Sequence, residues 1–107
     1  MSLLFSRQTK IVPKEIYDTP VAVIGVGTIG RNVAVQLAAI GINNVVLIDF
    51  DEVGEENIAN QGYFHSQVGM QKVDATKQVM LHHNPNAKII AINDKFRPEY
   101  VDGINVI

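Results

Sequence analysis

The stretch "VAVIGVGTIG", from Val21 to Gly30, narrows the folds open to this chain more than any other. A β-branched run of the kind that suits a strand buried on both faces leads straight into glycines spaced Gly-x-Gly-x-x-Gly. Gly25 allows the tight turn, Gly27 lets a phosphate approach the backbone, and Gly30 lets the following helix pack closely on the strand. The helix N-terminus then offers free N–H groups and a partial positive charge to that phosphate.

From Thr28 to Ile40 the apolar residues Ile29, Val33, Leu37 and Ile40 recur at helical spacing and are expected to form the face that packs on a sheet, with Gly41 as a left-handed cap. "NVVLID" reads as the second strand, Gly69 to His83 as a second long helix stopped by Asn84 and Pro85, "AKIIAI" as the third strand, and "DGINVI" as the start of a fourth. The alternation predicts the α/β class: a Rossmann-like, doubly wound, mainly parallel sheet with helices on both faces. Residues 1–19 read as a lead-in and residues 20–107 as a nucleotide-binding α/β domain. The expectation is that this domain is incomplete and truncated after strand four, because an apolar strand with no polar cap is an awkward place for a domain to stop.

Composition removes several classes of function. The 107 residues carry a net charge of −2, which argues against a protein that tracks nucleic-acid phosphates. The apolar runs are shorter than the roughly 18 residues a membrane span needs. There is no cysteine, so thiol catalysis and cysteine zinc sites are excluded within this stretch, and the first residues lack the pattern of a signal peptide. A cytoplasmic protein without nucleic acid or membrane is expected. His65, His82 and His83 show no ligand spacing with acids and read as surface or helix-end residues, so no metal site is assigned to protein residues.

Asp49 ends the second strand at the distance from Gly30 where a carboxylate accepts hydrogen bonds from a ribose diol. Beyond it the chain is unusually polar. The run "DFDEVGEENIANQ", followed by "VGMQK", resembles the ThiF, MoeB and HesA family of the ubiquitin-activating-enzyme superfamily. That family carries Asp-x-Asp, then Asn-x-x-Arg-Gln, then Gly-x-x-Lys; this chain supplies Asp49, Asp51, Asn57, Gln61, Gly69 and Lys72 in those places. "FSRQ" at Phe5 to Gln8 is similar to the family's lead-in, so the resemblance spans almost the whole chain.

The resemblance implies binding of ATP and magnesium and adenylation of the C-terminal carboxylate of a ubiquitin-like protein of the sulfur-carrier type. It implies that Asp49 holds the ribose, that Asn57 and Gln61 orient nucleotide or phosphate groups, and that Lys72 neutralises phosphate charge. Arg7 would act in trans within a homodimer, and the magnesium aspartate would follow beyond Ile107. An in-line attack on the α-phosphorus needs positioning and cations more than acid–base help, which explains these residue types. Each has a plainer reading beside the functional one. Lys72 could be a solvated charge, Asn57 a helix cap and Arg7 part of a mobile terminus.

The sequence departs from the family pattern in two places. Asn60 stands where the family has arginine, and an amide cannot supply a positive charge to a departing pyrophosphate. Thr28 stands where a second consecutive glycine is usual. Arg31, in the first turn of the helix, either replaces the missing cation or is a plain surface arginine. With Asn60 and the ending together, the stretch alone is expected to be inactive as an adenylyltransferase. Two other readings stay open: an NAD(P)-binding domain of a dehydrogenase, favoured by the plain glycine pattern and Thr28, and a non-catalytic dimerising scaffold, favoured by Asn60.

Overall fold

The computed structural model describes residues 18–107. Strand β1, Val21–Ile24, is joined by the glycine turn to helix α1, Thr28–Ala39, and then β2 follows as Asn44–Asp49. A short helix α2, Glu56–Gln61, and a single 3-10 turn at His65–Gln67 precede the long helix α3, Lys72–His83. The chain then runs through β3, Lys88–Asn93, a 3-10 turn at Pro98–Val101, and β4, Asn105–Val106. The strands form one parallel sheet in the order β3-β2-β1-β4, with Val21 opposite both Val45 and Asn105. This is the expected α/β architecture, and none of its described helices is long and apolar enough to cross a membrane.

Alternation along the strands divides the core into two layers. Val23, Val45, Leu47 and Ile89 face α1 and α3, where Ala34, Ala38, Val73 and Met80 complete a continuous buried cluster. Ala22, Val46 and Ile48 point to the opposite face and pack on Ile92, Tyr100, Val101 and Ile104. Both long helices therefore share one face. The second face is covered by the 3-10 turn Pro98–Val101, because a chain returning from β3 to the far side of β1 must pass over it. Ile24, Ile90 and Val106, which the register places on that second face, remain exposed.

Helix α1 does not bury the stripe read from its larger residues. Ile29 is 80% exposed and Ile40 is exposed at the C-cap, whereas Arg31, Ala34 and Ala38 are buried. The cause is the glycine turn. It draws the start of α1 so close to β1 that a Cβ on Gly30 would lie 1.8 Å from the Gly25 carbonyl oxygen. The small row Gly30, Ala34 and Ala38 faces the sheet at that distance, while Val35 and Leu37, the second of them from the expected stripe, are partly buried against the same core. Gly41, at φ 100°, ends α1 as expected: its N–H donates to Ala38 C=O and the Ile42 N–H to Leu37 C=O.

Helix α3 also begins later than its pattern predicts, at Lys72 instead of Gly69. Gly69 adopts φ 90°, and its N–H donates to Val53 C=O while the Val53 N–H donates to Met70 C=O. These bonds, with the antiparallel bridge between Glu52 and Gln71, hold the residues before α3 against the segment after β2. Beneath that contact Val53, Tyr63 and Ala75 form a small core of their own, so the polar segment is a packed structure and not a free loop.

Candidate functional site

The chain order reverses at β1, with β2 and β3 on one side and β4 on the other, and ligands of open α/β sheets bind at the C-terminal ends of the strands at such a point. The glycine turn stands there. The Gly25 N–H donates to Ile48 C=O at 2.7 Å, and the Val26 N–H donates to Asp49 Oδ2 at 2.9 Å. Asp49 Oδ1 accepts the Asp51 N–H at 2.8 Å, so one carboxylate ties the turn to the segment after β2. Tyr63 supports the turn from below: its hydroxyl donates to Val26 C=O and meets the Thr76 hydroxyl at 3.1 Å. Burial pushes the Tyr63 hydroxyl above its ordinary pKa, with the Thr76 bond pulling back, so it stays a proton donor.

The three glycines of the turn are required for different reasons. Gly25 has φ 85°, which a side chain resists, and Gly30 has no room for a Cβ. Gly27 has φ −72°, and a Cβ there would find only the Gln61 amide, at ordinary contact distances of 3.7–3.9 Å. The protein itself therefore tolerates a side chain at position 27. Helix α1 has no side-chain cap and no acid in its first turn, so the N–H groups beside Gly27 are open to an outside acceptor.

Around this turn lie the other residues read from the sequence. Gln61 sits over Gly27, and its Oε1 is buried without a hydrogen-bond partner. Lys72, only 7% exposed, is the first residue of α3; its Nζ lies 3.8 Å from Asp51 Oδ2 and its N–H donates to Asp51 C=O at 2.9 Å. Lys72 is thus not a solvated surface charge. Asn57 is buried in the first turn of α2, and its Oδ1 accepts the Gly54 N–H at 2.8 Å; it ties the helix to the residues before it and is not the helix cap of its plainer reading, since the N-cap is Glu55. Asn60 is exposed, and its carbonyl accepts the Thr28 hydroxyl at 2.8 Å. Thr28 thus fastens the start of α1 to the end of α2. Arg7 lies outside the described residues.

Arg31 is the largest departure from the sequence reading. It is 7% exposed, not a surface residue, with its guanidinium carbon 5.2 Å from the Tyr63 ring centre and 5.9 Å from that of Phe64. Its Nε is buried without a hydrogen-bond partner.

The cleft above the strand ends has a volume of about 230 Å³, with Gly25, Asp49, Asp51 and Asp94 along it and Phe50 and Phe96 as apolar walls. A larger hollow of about 360 Å³ lies between the His65–Gln67 turn and the end of α3. It lacks the glycine turn and the acids past the strand ends that favour the smaller cleft. Asp94 was not singled out in the sequence, although "INDKF" places an acid just past a strand end, as "LIDFD" does. It accepts hydrogen bonds from the Tyr100 hydroxyl at 2.7 Å, Arg97 Nε at 3.0 Å and the Lys95 N–H at 2.7 Å. These bonds, that of Tyr100 foremost, hold its carboxyl below the usual range. Tyr63 and Gln67 were missed as well. Gln67 Nε2 donates to Ala75 C=O at 3.0 Å and fixes the turn against α3, a long-range role that leaves no local pattern.

Comparison with known proteins finds relatives in sequence and in fold. The chain is 38% identical over 76 residues to ubiquitin-like modifier-activating enzyme 5 of Caenorhabditis briggsae, covering 71% of this chain and 18% of that protein. It is 37% identical over 93 residues to tRNA threonylcarbamoyladenosine dehydratase of Bacillus subtilis, covering 82% and 37% respectively. Among solved structures, the Escherichia coli tRNA N6-threonylcarbamoyladenosine dehydratase TcdA in complex with ATP superposes with a TM-score of 0.78 at 25% identity, over 91% of this chain and 42% of that one. E. coli MccB with ATP gives 0.72 at 29% identity, over 80% and 26%. The chain thus spans between 18% and 42% of the length of these relatives. The ThiF family profile matches residues 5–105, nearly the full chain, and the chain belongs to the ThiF family.

Proposed function

We propose that this chain is the ATP-binding part of an adenylyltransferase that activates the C-terminal carboxylate of a ubiquitin-like protein or a peptide. The observation that carries the reading is Gly27, a glycine that the protein's own packing does not require, placed beside an uncapped helix N-terminus. Phosphate approaching the backbone explains it. Related structures support the ligand, since TcdA and MccB have been solved with ATP.

In this reading the turn N–H groups and the start of α1 hold phosphate, and Asp49 receives the ribose hydroxyls on the lone pairs left free by Val26 and Asp51. Phe50 and Phe96 offer apolar walls to the base. Lys72, kept largely from water beside Asp51, sets a cation against the phosphates. ATP supplies the electrophilic phosphorus and the leaving pyrophosphate; the residues here bind, orient and neutralise. Among the described residues no group of three or more acids, histidines or cysteines is gathered for a metal, so magnesium is proposed to come with the nucleotide. A homodimer in which Arg7 reaches the partner's site, and a ubiquitin-like substrate of the sulfur-carrier type, belong to the same proposal.

Calorimetric titration tests it. ATP and AMP are expected to bind and NAD to bind more weakly, and Lys72→Met is expected to weaken ATP by about tenfold, the loss of one charge-assisted contact. Clear NAD binding without ATP binding would overturn the proposal in favour of a dehydrogenase domain. Absence of all nucleotide binding would favour the scaffold that Asn60 suggests.

A further inference from the structure

Most of the buried polar side chains among the described residues have partners, and the exceptions are informative. Among the described residues three buried side-chain atoms lack one: Arg31 Nε, Gln61 Oε1 and Gln71 Oε1. Arg31 is also a charge. The two ion pairs among the described residues join Lys72 to Asp51 and Arg97 to Asp94, and neither involves Arg31. A guanidinium largely withdrawn from water, its Nε sealed off, with neither carboxylate nor hydrogen bond is costly, and native proteins rarely leave one so.

Its setting makes the position more costly still. Arg31 is the fourth residue of α1, one turn from Gly27, whose C=O accepts its N–H at 2.9 Å. A cation so near a helix N-terminus is opposed by the helix dipole. The rings of Tyr63 and Phe64 fix the guanidinium by cation–π contact, and Nη1 lies 3.2 Å from where a Cβ of Gly62 would stand, so the group rests at the junction of α1 and the end of α2. Gln61, the residue before that glycine, reaches over Gly27. Arg31 and the phosphate-accepting turn are therefore neighbours through one residue.

From this we infer that Arg31 is an anion-contacting residue, which supplies from α1 the positive charge that Asn60 cannot supply from α2, and that its partner is the distal phosphate group of a nucleoside triphosphate. The inference rests on the nucleotide reading of the site and adds the residue that distinguishes a triphosphate from a monophosphate. The competing explanation is structural: Arg31 clamps α1 to α2 through its aromatic contacts and its nearness to the carbonyl end of α2. The two differ in ligand dependence. A clamp affects every ligand alike, whereas an anion contact affects only those with phosphate beyond the first.

The test is titration of ATP, AMP and inorganic tripolyphosphate into the unaltered chain, Arg31→Gln and Arg31→Lys, with thermal unfolding of each. Arg31→Gln is expected to weaken ATP and tripolyphosphate by about tenfold or more and AMP by less than about threefold, with Arg31→Lys between, because a point charge lacks the planar fork. Equal losses for ATP and AMP, or no loss, would overturn the inference and leave the nucleotide site intact. If the unaltered chain binds tripolyphosphate through Arg31 but not ATP, the nucleotide reading fails and the anion contact stands. If it binds neither, both fail. Should Arg31→Gln not fold, the Arg31 Nε–H resonance of the unaltered chain decides the matter: ATP is expected to shift it and AMP to leave it in place, and the same response to both would refute the role.

Discussion

Gly27 and Gly30 are three residues apart and answer to different demands. Alanine at 30 drives a Cβ into the Gly25 carbonyl, against backbone that cannot yield cheaply, and is expected to cost about 2–3 kcal/mol or more. Alanine at 27 meets only the flexible Gln61 amide and is expected to change stability by less than about 0.5 kcal/mol while weakening ATP. Chemical denaturation and titration on both variants separate the cases; a large loss of stability at 27 would remove the argument for a ligand there. Asp94 gives a residue-scale prediction in pH. Its folded carboxyl titrates below the ordinary range, so its contribution is present above the unfolded value and is lost as pH falls through the folded one. Asp94→Asn is therefore expected to flatten the decline in melting temperature below about pH 4, the ordinary carboxylate range, and an unchanged acid limb would show that its bonds to Tyr100 and Arg97 carry no linkage. Such residues differ in how legible they were. The glycines and Asp49 announce themselves because their signal is local, a strand followed by a turn. Tyr63 and Arg31 act through contacts to distant segments, and nothing in their own neighbourhoods encodes those contacts. Asp94, bonded to Lys95, Arg97 and Tyr100, has a local signal, an acid just past a strand end, that the glycine pattern overshadowed.

Helices and strands show where pattern reading holds and where packing overrules it. β2 was visible as a β-branched run because a strand covered on both faces must be apolar throughout, and β1 and β3 show the same kind of run although Ile24 and Ile90 stay exposed. The buried face of α1 was misread because large apolar residues draw attention, whereas a helix pulled against a strand by glycine presents its smallest ones. Ala34→Leu is accordingly expected to destabilise by about 1–3 kcal/mol despite added apolar surface, and Ile29→Gln to be nearly neutral. Urea unfolding of the pair checks both; a stabilising Ala34→Leu would mean that the helix can stand off the sheet. The segment from Asp51 to Lys72 was read as polar ligand-binding sequence without a shape. Its shape comes from the Glu52 to Gln71 bridge, which sets Asp51 beside Lys72, and such a pairing across an irregular segment has no periodicity to detect.

At the scale of the molecule, the candidate site is also a junction. Asp49 links the glycine turn to the segment after β2, Thr28 links α1 to α2, and Tyr63 links the turn to α3. A ligand resting on these links binds the folded chain and not the unfolded one. ATP at about 100 times its Kd is expected to add about 2.7 kcal/mol to the unfolding free energy, a rise on the order of 10 °C for a domain of this size. Scanning calorimetry with and without nucleotide measures it, and an unshifted melting temperature at saturation would contradict binding at this junction.

The freedom at Gly27 bears on how such a chain would age. Position 30 is held by the chain's own geometry, so any descendant that still folds must keep glycine there. Position 27 is held by what visits from outside. A lineage that ceased to use its nucleotide would lose nothing by drifting to alanine or serine at 27, and descendants could be sorted into working and retired copies by that one residue, with the fold identical in both.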